Sequence, residues 1–448
     1  MDQRFEALYP ANSWEREIGQ IIEIVKAGNS CQIIGFPGVG RSNLLGLLSY
    51  NRGVRTHLLG NEQNKFHFVL MNFSEARNME EEEIFKFFFV SIIDSLKERR
   101  MEKESQFVKK ILSDSIKTQD KQLLLHGLKK TIDYLCLEKS LSIIFLFDRF
   151  EEYAPKADAD FFATLRSLRN RAKYRFSAVF SVERPLEDVL DTTTYKDFYE
   201  FLEGNQIYMP LRDSASLNFR IKFLEEKSGK KLPNEVKEEV FNLSAGHGKI
   251  TRFCIEAYFS GSSGKYERKE LPEFLLADSK VKGSLFDIWK YLTPEEQKNL
   301  AFSVKGIGDR SNTDDFLEKI GLVKDGKITM PLFEEFIAKN KQELEKTAGG
   351  KIVYEEGSNE IKKGEVAFSD ILTSSEFKLL KFLVQNEGKI LERDEIVNTV
   401  WTELSSTAGV TEQALDQLIF RVRKKIEDNP NSPIHILTVK GRGFKFTP

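Results

Sequence analysis

The chain has 448 residues, of which 40% are hydrophobic, and this length predicts about three domains with substantial cores. Its 67 basic and 69 acidic residues leave a net charge of −2, which excludes recognition of nucleic acid through the charge of the whole chain. Any basic site must therefore be local. Three cysteines lie far apart in apolar contexts and predict reduced core thiols (Cys31, Cys136, Cys254). The first residues lack a signal-peptide layout and no apolar run nears the length of a membrane helix, so we expect a cytoplasmic protein without membrane contact.

The first predicted site is a glycine-rich loop with the sequence G-F-P-G-V-G-R-S at residues 35–42. An apolar strand candidate at 31–34 precedes it and a helix candidate at 43–50 follows it. In such a loop, backbone N–H groups surround a phosphate, a cation reaches the β and γ phosphates, and a hydroxyl binds Mg²⁺. The predicted nucleotide-binding residues of this segment are Gly35, Pro37, Gly38, Val39, Gly40, Arg41, Ser42 and Asn43.

Arg41 stands where the strict loop pattern has a lysine. Arginine is a cation and a phosphate ligand, but it is a planar fork rather than a compact ammonium group. We therefore expect nucleotide binding to survive where turnover does not. A glycine-rich turn without a ligand is the alternative interpretation of the loop alone.

A second apolar run, at residues 142–148, ends in Asp148. A continuous apolar run is typical of a strand buried on both faces of a parallel sheet, and it places Asp148 at the carboxyl edge beside the loop, where Mg²⁺ needs a carboxylate. A core strand that happens to end in an acid is the alternative, but two motifs at compatible spacing favour the nucleotide site. Strand candidates alternate with helical stretches at 31–34, 66–73, 142–148 and 176–182, which predicts an α/β fold with a parallel sheet flanked by helices.

The loop and D-R-F-E-E at residues 148–152 resemble the STAND class of signal-transducing P-loop ATPases, relatives of the AAA+ proteins. W-E-R-E at 14–17 is similar to the arginine-glutamate box near the adenine, and the likeness spans about the first 260 residues. It implies ATP or ADP as ligand, Mg²⁺ on Ser42 and Asp148, Arg16 near the base, and Glu151 or Glu152 as the residue that orients the attacking water. Arg149 stands where many active relatives have an acid, so ATPase activity is left open.

The same resemblance implies nucleotide-sensing residues farther along the chain. Ser181 or Arg184, at the end of the strand candidate 176–182, would face the γ-phosphate. A small-residue turn and helix from residue 244 resemble the lid of the family, with Arg252 as the lid arginine and His247 near the base or the phosphates. A solvated or structurally paired side chain is the alternative in each case.

We predict four parts in the chain. A P-loop domain at residues 1–205 is followed by a helical lid at 206–275 and by a packing or regulatory winged helix at 276–345. The winged helix is predicted from a threonine-capped helix start at Thr293 and a hairpin signal at Asp325-Gly326. The fourth part is residues 351–448.

This last part closely resembles the response-regulator (OmpR/PhoB-type) winged-helix DNA-binding domain over its full length. The likeness rests on L-T-x-x-E-F at 372–377, Trp401, R-V-R-K-K-I-E at 421–427 and T-V-K-G-R-G-F at 438–444. Thr373 and Glu376 also form a predicted capping box. A protein-binding module of the same fold is the alternative.

The DNA-binding residues follow from helical periodicity. In the helix predicted at 410–427, an apolar stripe faces a core and leaves other side chains more free to read base edges in the major groove (Gln413, Gln417, Arg421, Lys424, Lys425). On the wing turn, Lys440 and Arg442 would reach phosphate or the minor groove. Residues 421–445 contain seven basic and two acidic residues, which supplies the local positive charge.

The sequence thus predicts a nucleotide-controlled DNA-binding protein, a STAND-type transcriptional regulator with weak or absent hydrolysis. Its expected partners are double-stranded DNA and RNA polymerase or another protein, with oligomerisation dependent on nucleotide. One alternative is an active AAA+-like ATPase that assembles on DNA in replication, transposition or defence. The other is a protein-interaction adaptor that holds nucleotide statically.

Overall fold

The computed structural model describes residues 4–116, 120–190, 192–261, 270–304, 315–348, 351–363, 366–367, 369, 372–401, 412–427 and 433–448. The chain forms two compact units. The first consists of residues 1–189, 193–237 and 246–262, and the second of residues 190–192, 238–245 and 263–448. The four-part division predicted from the sequence is finer than these units and stays a prediction.

A five-stranded parallel sheet lies at the centre of the first unit. Its strands are β1 (Cys31–Ile34), β2 (Phe66–Asn72), β3 (Ser142–Asp148), β4 (Phe176–Val182) and β5 (Gln206–Tyr208), in the spatial order β2-β3-β4-β1-β5. All neighbours run parallel, with Ile34 beside Val182 and Asn72 beside Asp148. Every residue of β1 and β4 is buried, as expected for strands covered on both faces. The predicted α/β fold class is confirmed.

Helices connect and follow these strands. They are α1 (Glu15–Lys26), α2 (Arg41–Tyr50), α3 (Arg52–Leu59), α4 (Glu81–Glu98), α5 (Glu102–Ile116), α6 (Lys121–Ile132), α7 (Ala159–Ala172), α8 (Leu186–Val189), α9 (Thr192–Tyr199), α10 (Ser214–Ser228), α11 (Asn234–Ser244) and α12 (Gly248–Ser260). The greater part of α11 belongs to the second unit. Short 3₁₀ turns include Phe150–Glu152, directly after β3. The side chain of Phe150 is fully buried and packs edge-on against Phe180 of β4 at 4.9 Å, which anchors the chain where it leaves β3.

The first half of the second unit is helical and ends in a short hairpin. It contains α13 (Leu271–Ala277), α14 (Ser279–Tyr291), α15 (Pro294–Val304), α16 (Asp315–Lys319), β6 (Val323–Lys324), β7 (Lys327–Ile328) and α17 (Pro331–Ala348). Strands β6 and β7 pair antiparallel across Asp325 and Gly326, whose φ angles of 51° and 70° are those of the predicted turn. Thr293 and Glu296 cap the start of α15 reciprocally.

The last hundred residues of the second unit have a hydrophobic core of their own. Their elements are β8 (Ile352–Glu355), β9 (Glu360–Lys363), β10 (Val366–Ala367), α18 (Ser374–Gln385), β11 (Ile390–Leu391), α19 (Arg393–Val400), α20 (Glu412–Ile426), β12 (Ile436–Val439) and β13 (Gly443–Phe446). Two antiparallel sheets are present, β10-β9-β8 and β11-β13-β12, and α18 contacts a strand of each. Leu380 of α18, Leu418 of α20 and Phe444 of β13 meet in one buried cluster. The predicted capping box of Thr373 and Glu376 is present.

Candidate nucleotide and DNA sites

The glycine-rich loop lies between β1 and α2 and requires glycine at two positions. Gly38 and Gly40 have φ angles of +87° and +118°, a region that side-chain-bearing residues avoid. A Cβ atom on Gly38 would lie 2.8 Å from the Cβ of Lys249 and 3.0 Å from the Cε1 of His247. The loop is joined to the sheet by the N–H of Gly35, which donates to the carbonyl of Val182 at 3.2 Å. Strand, loop and helix follow one another as predicted, with the loop at the N-terminus of α2.

Ser42 and Asp148 meet at the carboxyl edge of the sheet. The Ser42 hydroxyl donates to Oδ1 of Asp148 at 3.0 Å, although the two residues are 106 positions apart. Asp148 is buried, and burial raises the pKa of its carboxyl, against the opposing effects of the Ser42 hydrogen bond and of Arg41. A hydroxyl and a carboxylate are hard oxygen ligands of the kind that Mg²⁺ prefers. These two predicted metal ligands therefore lie together.

The guanidinium of Arg41 is occupied by two carboxylates. Its Nη2 lies 2.8 Å from Oε1 of Glu151 and its Nη1 lies 3.3 Å from Oε2 of the same residue, which is a bidentate arrangement. Nη2 also lies 3.1 Å from Oε1 of Glu183. The Arg41 side chain is only 9% exposed. The residue that departs from the loop pattern is thus the centre of a buried ion-pair cluster.

Glu183 is a site residue that the sequence reasoning missed. It follows β4 directly, and the signal that could have found it is an acid at the end of a fully buried strand. Burial raises the pKa of its carboxyl to about 7, with Arg41 opposing the rise and Glu151 adding to it. Ser181, one of the two residues predicted for this place, is fully buried, whereas the other, Arg184, is half-buried.

The two glutamates after β3 point to different partners. Glu151 binds Arg41, but Glu152 pairs with Arg77 and with Arg149, whose Nη1 lies 3.2 Å from Oε1 of Glu152. Only Glu151 of the two predicted water-orienting residues therefore contacts the loop cation.

His247 fastens the start of α12 to the phosphate loop. Its Nδ1 accepts the N–H of Ile250 at 3.3 Å, so its Nε2 carries the proton and donates to the carbonyl of Pro37 at 3.0 Å. The N–H of Lys249 donates to the carbonyl of Gly38 at 3.1 Å. Burial lowers the pKa of His247 to about 4, so the ring is neutral at physiological pH. His247 thus contacts the backbone of the loop.

Arg252 lies one turn farther along α12. Its Nε is 3.8 Å from Oε1 of Glu256, and its guanidinium lies over the ring of Phe253 at 4.5 Å from the centroid. These contacts are local to the helix. The assignment of Arg252 as a lid arginine stays a prediction.

A pocket of about 520 Å³ lies at the start of α1. Trp14 is the N-cap residue of this helix, and its Cζ2 lies 3.6 Å from the place of a Cβ on Gly40 of the loop. The predicted base-side residue Arg16 is exposed and lines the pocket. The lining residues are Asn12, Glu15, Arg16, Glu17, Pro210, Arg212, Asp213, Ser214 and Ala215.

Helix α20 carries the predicted DNA-binding side chains in two different environments. Gln417 and Lys424 are exposed. Arg421 is only 8% exposed, and both it and Lys425 pair with the fully buried Glu376 of α18, at 3.5 and 2.6 Å. The expectation that the side chains of Arg421 and Lys425 are more free than the core-facing ones is therefore wrong, because both cations pair with the buried carboxylate of Glu376. The side chain of Gln413 lies outside the described residues.

The turn between β12 and β13 presents the other two predicted residues. Lys440 and Arg442 are exposed on this turn. Gly443 ends it with a φ of +124°, and a Cβ there would lie 2.0 Å from the carbonyl oxygen of Leu391. Since only glycine permits this approach, the register of β13 against β11 positions the wing.

Residues 371–446 match the family described as "Transcriptional regulatory protein, C terminal". This segment is an OmpR/PhoB-type winged-helix domain. The regulator domain is 39% identical over 74 residues to the sensory transduction protein RegX3 of Mycolicibacterium smegmatis, which covers 16% of this chain and 31% of the relative. It is 40% identical over 74 residues to the transcriptional regulatory protein PhoP of Bacillus subtilis, covering 16% and 30%. The chain spans about a third of the length of these relatives.

Solved structures with low similarity cover most of the chain. A Walker-type ATPase of Pyrococcus abyssi has a TM-score of 0.43 and 16% identity, over 74% of this chain and 99% of that one. The ORC2 protein of Aeropyrum pernix in its ADP form has a TM-score of 0.41 and 13% identity, over 86% and 96%. The first unit itself has a parallel sheet with a glycine-rich loop between β1 and α2. Among the described residues, no helix has the length and apolar character needed to cross a membrane.

Proposed function

We propose that this chain is a nucleotide-controlled DNA-binding protein, a STAND-type transcriptional regulator in which ATP or ADP in the first unit sets DNA binding by the regulator domain. One observation carries the proposal. The same chain holds a phosphate loop with a joined Ser42–Asp148 pair and a winged-helix domain of transcriptional regulators. In this proposal the nucleotide site is the input and the regulator domain is the output.

The geometry of the first unit supports a nucleotide as the ligand. The glycine loop and the N-terminus of α2 supply N–H groups for phosphates, and the pocket beside Trp14 has room for a base and ribose. Ser42 and Asp148 would hold Mg²⁺, which when bound neutralises phosphate charge. The residues present therefore fit both groups.

The ion pairs of Arg41 support weak or absent hydrolysis. A glutamate that orients an attacking water has to present its carboxylate to that water. Both oxygens of Glu151 are instead bound to the Arg41 guanidinium. The Arg41 side chain is only 9% exposed, so its guanidinium would lose its bidentate compensating charge if Glu151 moved away, and this favours the paired state.

The regulator domain supports DNA as the partner. Helix α20 exposes Gln417 and Lys424, and the wing exposes Lys440 and Arg442. Glutamine can pair with adenine edges, and lysine or arginine can bind guanine or phosphate. The buried pairs of Glu376 with Arg421 and Lys425 support a structural part for those two cations in positioning α20.

The proposal is tested on the full chain with two measurements. Titration calorimetry with ATP and with ADP, each with Mg²⁺, measures nucleotide binding. Fluorescence anisotropy with a duplex selected by the protein from a random pool measures DNA binding at several salt concentrations. We expect Asp148→Asn to weaken Mg²⁺-dependent nucleotide binding, and Lys440→Ala with Arg442→Ala to weaken DNA binding and its salt dependence. A folded chain that binds neither nucleotide would contradict the proposal.

Turnover distinguishes the regulator from an active ATPase that assembles on DNA. Weak or absent phosphate release despite tight binding agrees with the paired Glu151. Sustained turnover that Asp148→Asn abolishes would favour the ATPase instead.

A further inference from the structure

Glu183 and Glu151 both contact Arg41, the cation of the loop that would bind phosphate. In a phosphate loop, the cation after the last glycine reaches the β and γ phosphates. Here that cation is Arg41, and its two terminal nitrogens already contact three carboxylate oxygens at 2.8 to 3.3 Å. A terminal phosphate has to compete with these carboxylates for the guanidinium.

The sheet order puts Glu183 in the middle of the site. Strand β4 lies between β1, which leads into the loop, and β3, which ends at Asp148. The residue after β4 therefore projects between the loop and the metal-ligand pair. Glu183 occupies that position, and its side chain is 34% exposed although it contacts Arg41.

A γ-phosphate would meet a carboxylate that already contacts the loop cation. Arg41 contacts Glu151 and Glu183, and Asp148 lies one hydrogen bond away through Ser42. Arg149 and Arg184 also act on Glu183, but Arg41 is the cation that the ion-pair distances place against it. Mg²⁺ on Asp148 would compensate that carboxylate and part of the phosphate charge. A γ-phosphate would still add negative charge beside Glu183 and would be repelled by the ionised form of its carboxylate.

We propose that the site selects nucleoside diphosphates over triphosphates and that Glu183 is the residue that sets this preference. A diphosphate lacks the γ-phosphate, so only its β-phosphate, which the N–H groups of the loop also bind, competes with Glu183 for Arg41. A triphosphate must displace Glu183 from Arg41 or accept the repulsion. This inference rests on the proposed nucleotide site and goes beyond it in naming the preferred ligand class and its determinant.

The test compares three ligands on the full chain by titration calorimetry with Mg²⁺ present. ADP, ATP and the β,γ-imido analogue of ATP are used, because the analogue excludes hydrolysis during the titration. We expect wild-type protein to bind ADP at least about tenfold more tightly than either triphosphate, which corresponds to about 1.4 kcal/mol. Glu183→Gln is expected to tighten triphosphate binding about tenfold and to change ADP binding by less than about threefold.

Glu75→Gln is the matched control. Glu75 is exposed just beyond the carboxyl end of β2 at the same edge of the sheet, so the variant makes the same charge change without touching Arg41. We expect it to leave all three affinities unchanged. If Glu183→Gln tightens ADP and triphosphates equally, general repulsion rather than selection is at work and the inference is wrong.

The comparison of ADP with the imido analogue in wild-type protein tests the preference even if Glu183→Gln does not fold. Equal binding of ADP and the imido analogue by wild-type protein overturns the preference while leaving the nucleotide site intact. Absence of binding by every ligand overturns the nucleotide site itself. The two failures are thus distinguishable.

Discussion

Arg41 is the residue at which the glycine-rich loop departs from the phosphate-loop pattern, which has a lysine at this position. The arginine at this position changes the contacts of the loop, because its planar guanidinium binds both carboxylate oxygens of Glu151. A lysine has a compact ammonium group that cannot make the same bidentate contact.

We therefore expect Arg41→Lys to release Glu151 and to raise ATP turnover by about tenfold or more over wild type. Phosphate release with Mg²⁺ and saturating ATP measures the effect. Arg77→Lys is the control, because Arg77 pairs with Glu152 rather than with Glu151. Unchanged turnover in an Arg41→Lys protein that binds ATP would show that the ion pair does not restrain hydrolysis.

We expect the free energy of unfolding to depend on pH through the buried imidazole of His247. Burial lowers the pKa of its imidazole from 6.5 to about 4, so as the pH falls the unfolded state binds the proton first. The stabilisation from the neutral ring is complete above pH 6.5 and is lost as the pH falls towards 4. The loss is on the order of 3 kcal/mol.

His247→Gln should remove this part of the pH dependence, because an amide can still bond to the loop but does not titrate. Thermal unfolding of both proteins between pH 7.5 and 4 measures it, with the gap between their midpoints narrowing as the pH falls. His67 is also buried and is the same in both proteins, so its titration cancels in the comparison. If the unfolding midpoints of the two proteins change with pH in parallel, the protonation of His247 does not contribute to the pH dependence of stability.

Some site residues were predictable from the sequence and others were not. Ser42 and Asp148 could be paired because loop and strand-end motifs specify where their side chains emerge. The different partners of Glu151 and Glu152 could not, because they depend on the buried Phe150 that orients the turn after β3. Glu183 was missed because its importance arises from a partner 142 positions away.

Helix α20 has cations of two kinds, and they should respond differently to substitution. Lys424 is exposed, whereas Lys425 pairs with the buried Glu376. Lys424→Ala is expected to weaken DNA binding and to lower the salt slope by about one unit, as for the loss of one phosphate contact. Anisotropy over a salt series measures this.

Lys425→Ala is the matched comparison on the same helix. It leaves Glu376 with one cation fewer, so we expect it to lower the thermal unfolding midpoint more than Lys424→Ala does. Unchanged stability in Lys425→Ala, together with an unchanged salt slope in Lys424→Ala, would contradict a structural role for Lys425 and DNA contact by Lys424.

Helix α15 contacts α20 within the second unit. A helix that reads the major groove cannot at the same time pack another helix in the groove-facing space. Residues 351–448 have their own core, so they can be compared alone with the full chain. We expect the isolated segment to bind duplex DNA about tenfold more tightly than the full chain without nucleotide, as measured by anisotropy. Equal affinities would show that α15 does not restrict α20.

Elements with strong local signals were predictable from the sequence. The strand ending at Asp148, the turn at Asp325-Gly326 and the capping box of Thr373 each combine a periodic pattern with a specific turn or cap residue. The inward pairing of Arg421 was not, since helical periodicity assigns faces but does not reveal a buried acid on a neighbouring helix. The contact between α15 and α20 joins segments more than a hundred residues apart and has no local signal.

At the scale of the whole molecule, the central claim is that nucleotide in the first unit changes DNA binding by the regulator domain. A ligand shifts such an equilibrium only through its different affinity for the two states, and each tenfold change in DNA affinity requires about 1.4 kcal/mol of that difference. His247 ties the phosphate loop to α12, directly after Ala245 and Gly246, where the chain passes from the second unit into the first. Their φ angles of 49° and 72° make this a sharp turn.

The most direct test is the dissociation constant for duplex DNA, measured by anisotropy on the full chain with and without saturating ADP and Mg²⁺. At the ADP concentration that saturates wild-type protein, we predict a change of at least about tenfold in wild-type protein, a smaller change in Asp148→Asn, and none in residues 351–448 alone. The same DNA affinity with and without ADP, in protein shown by calorimetry to have ADP bound, would contradict nucleotide control.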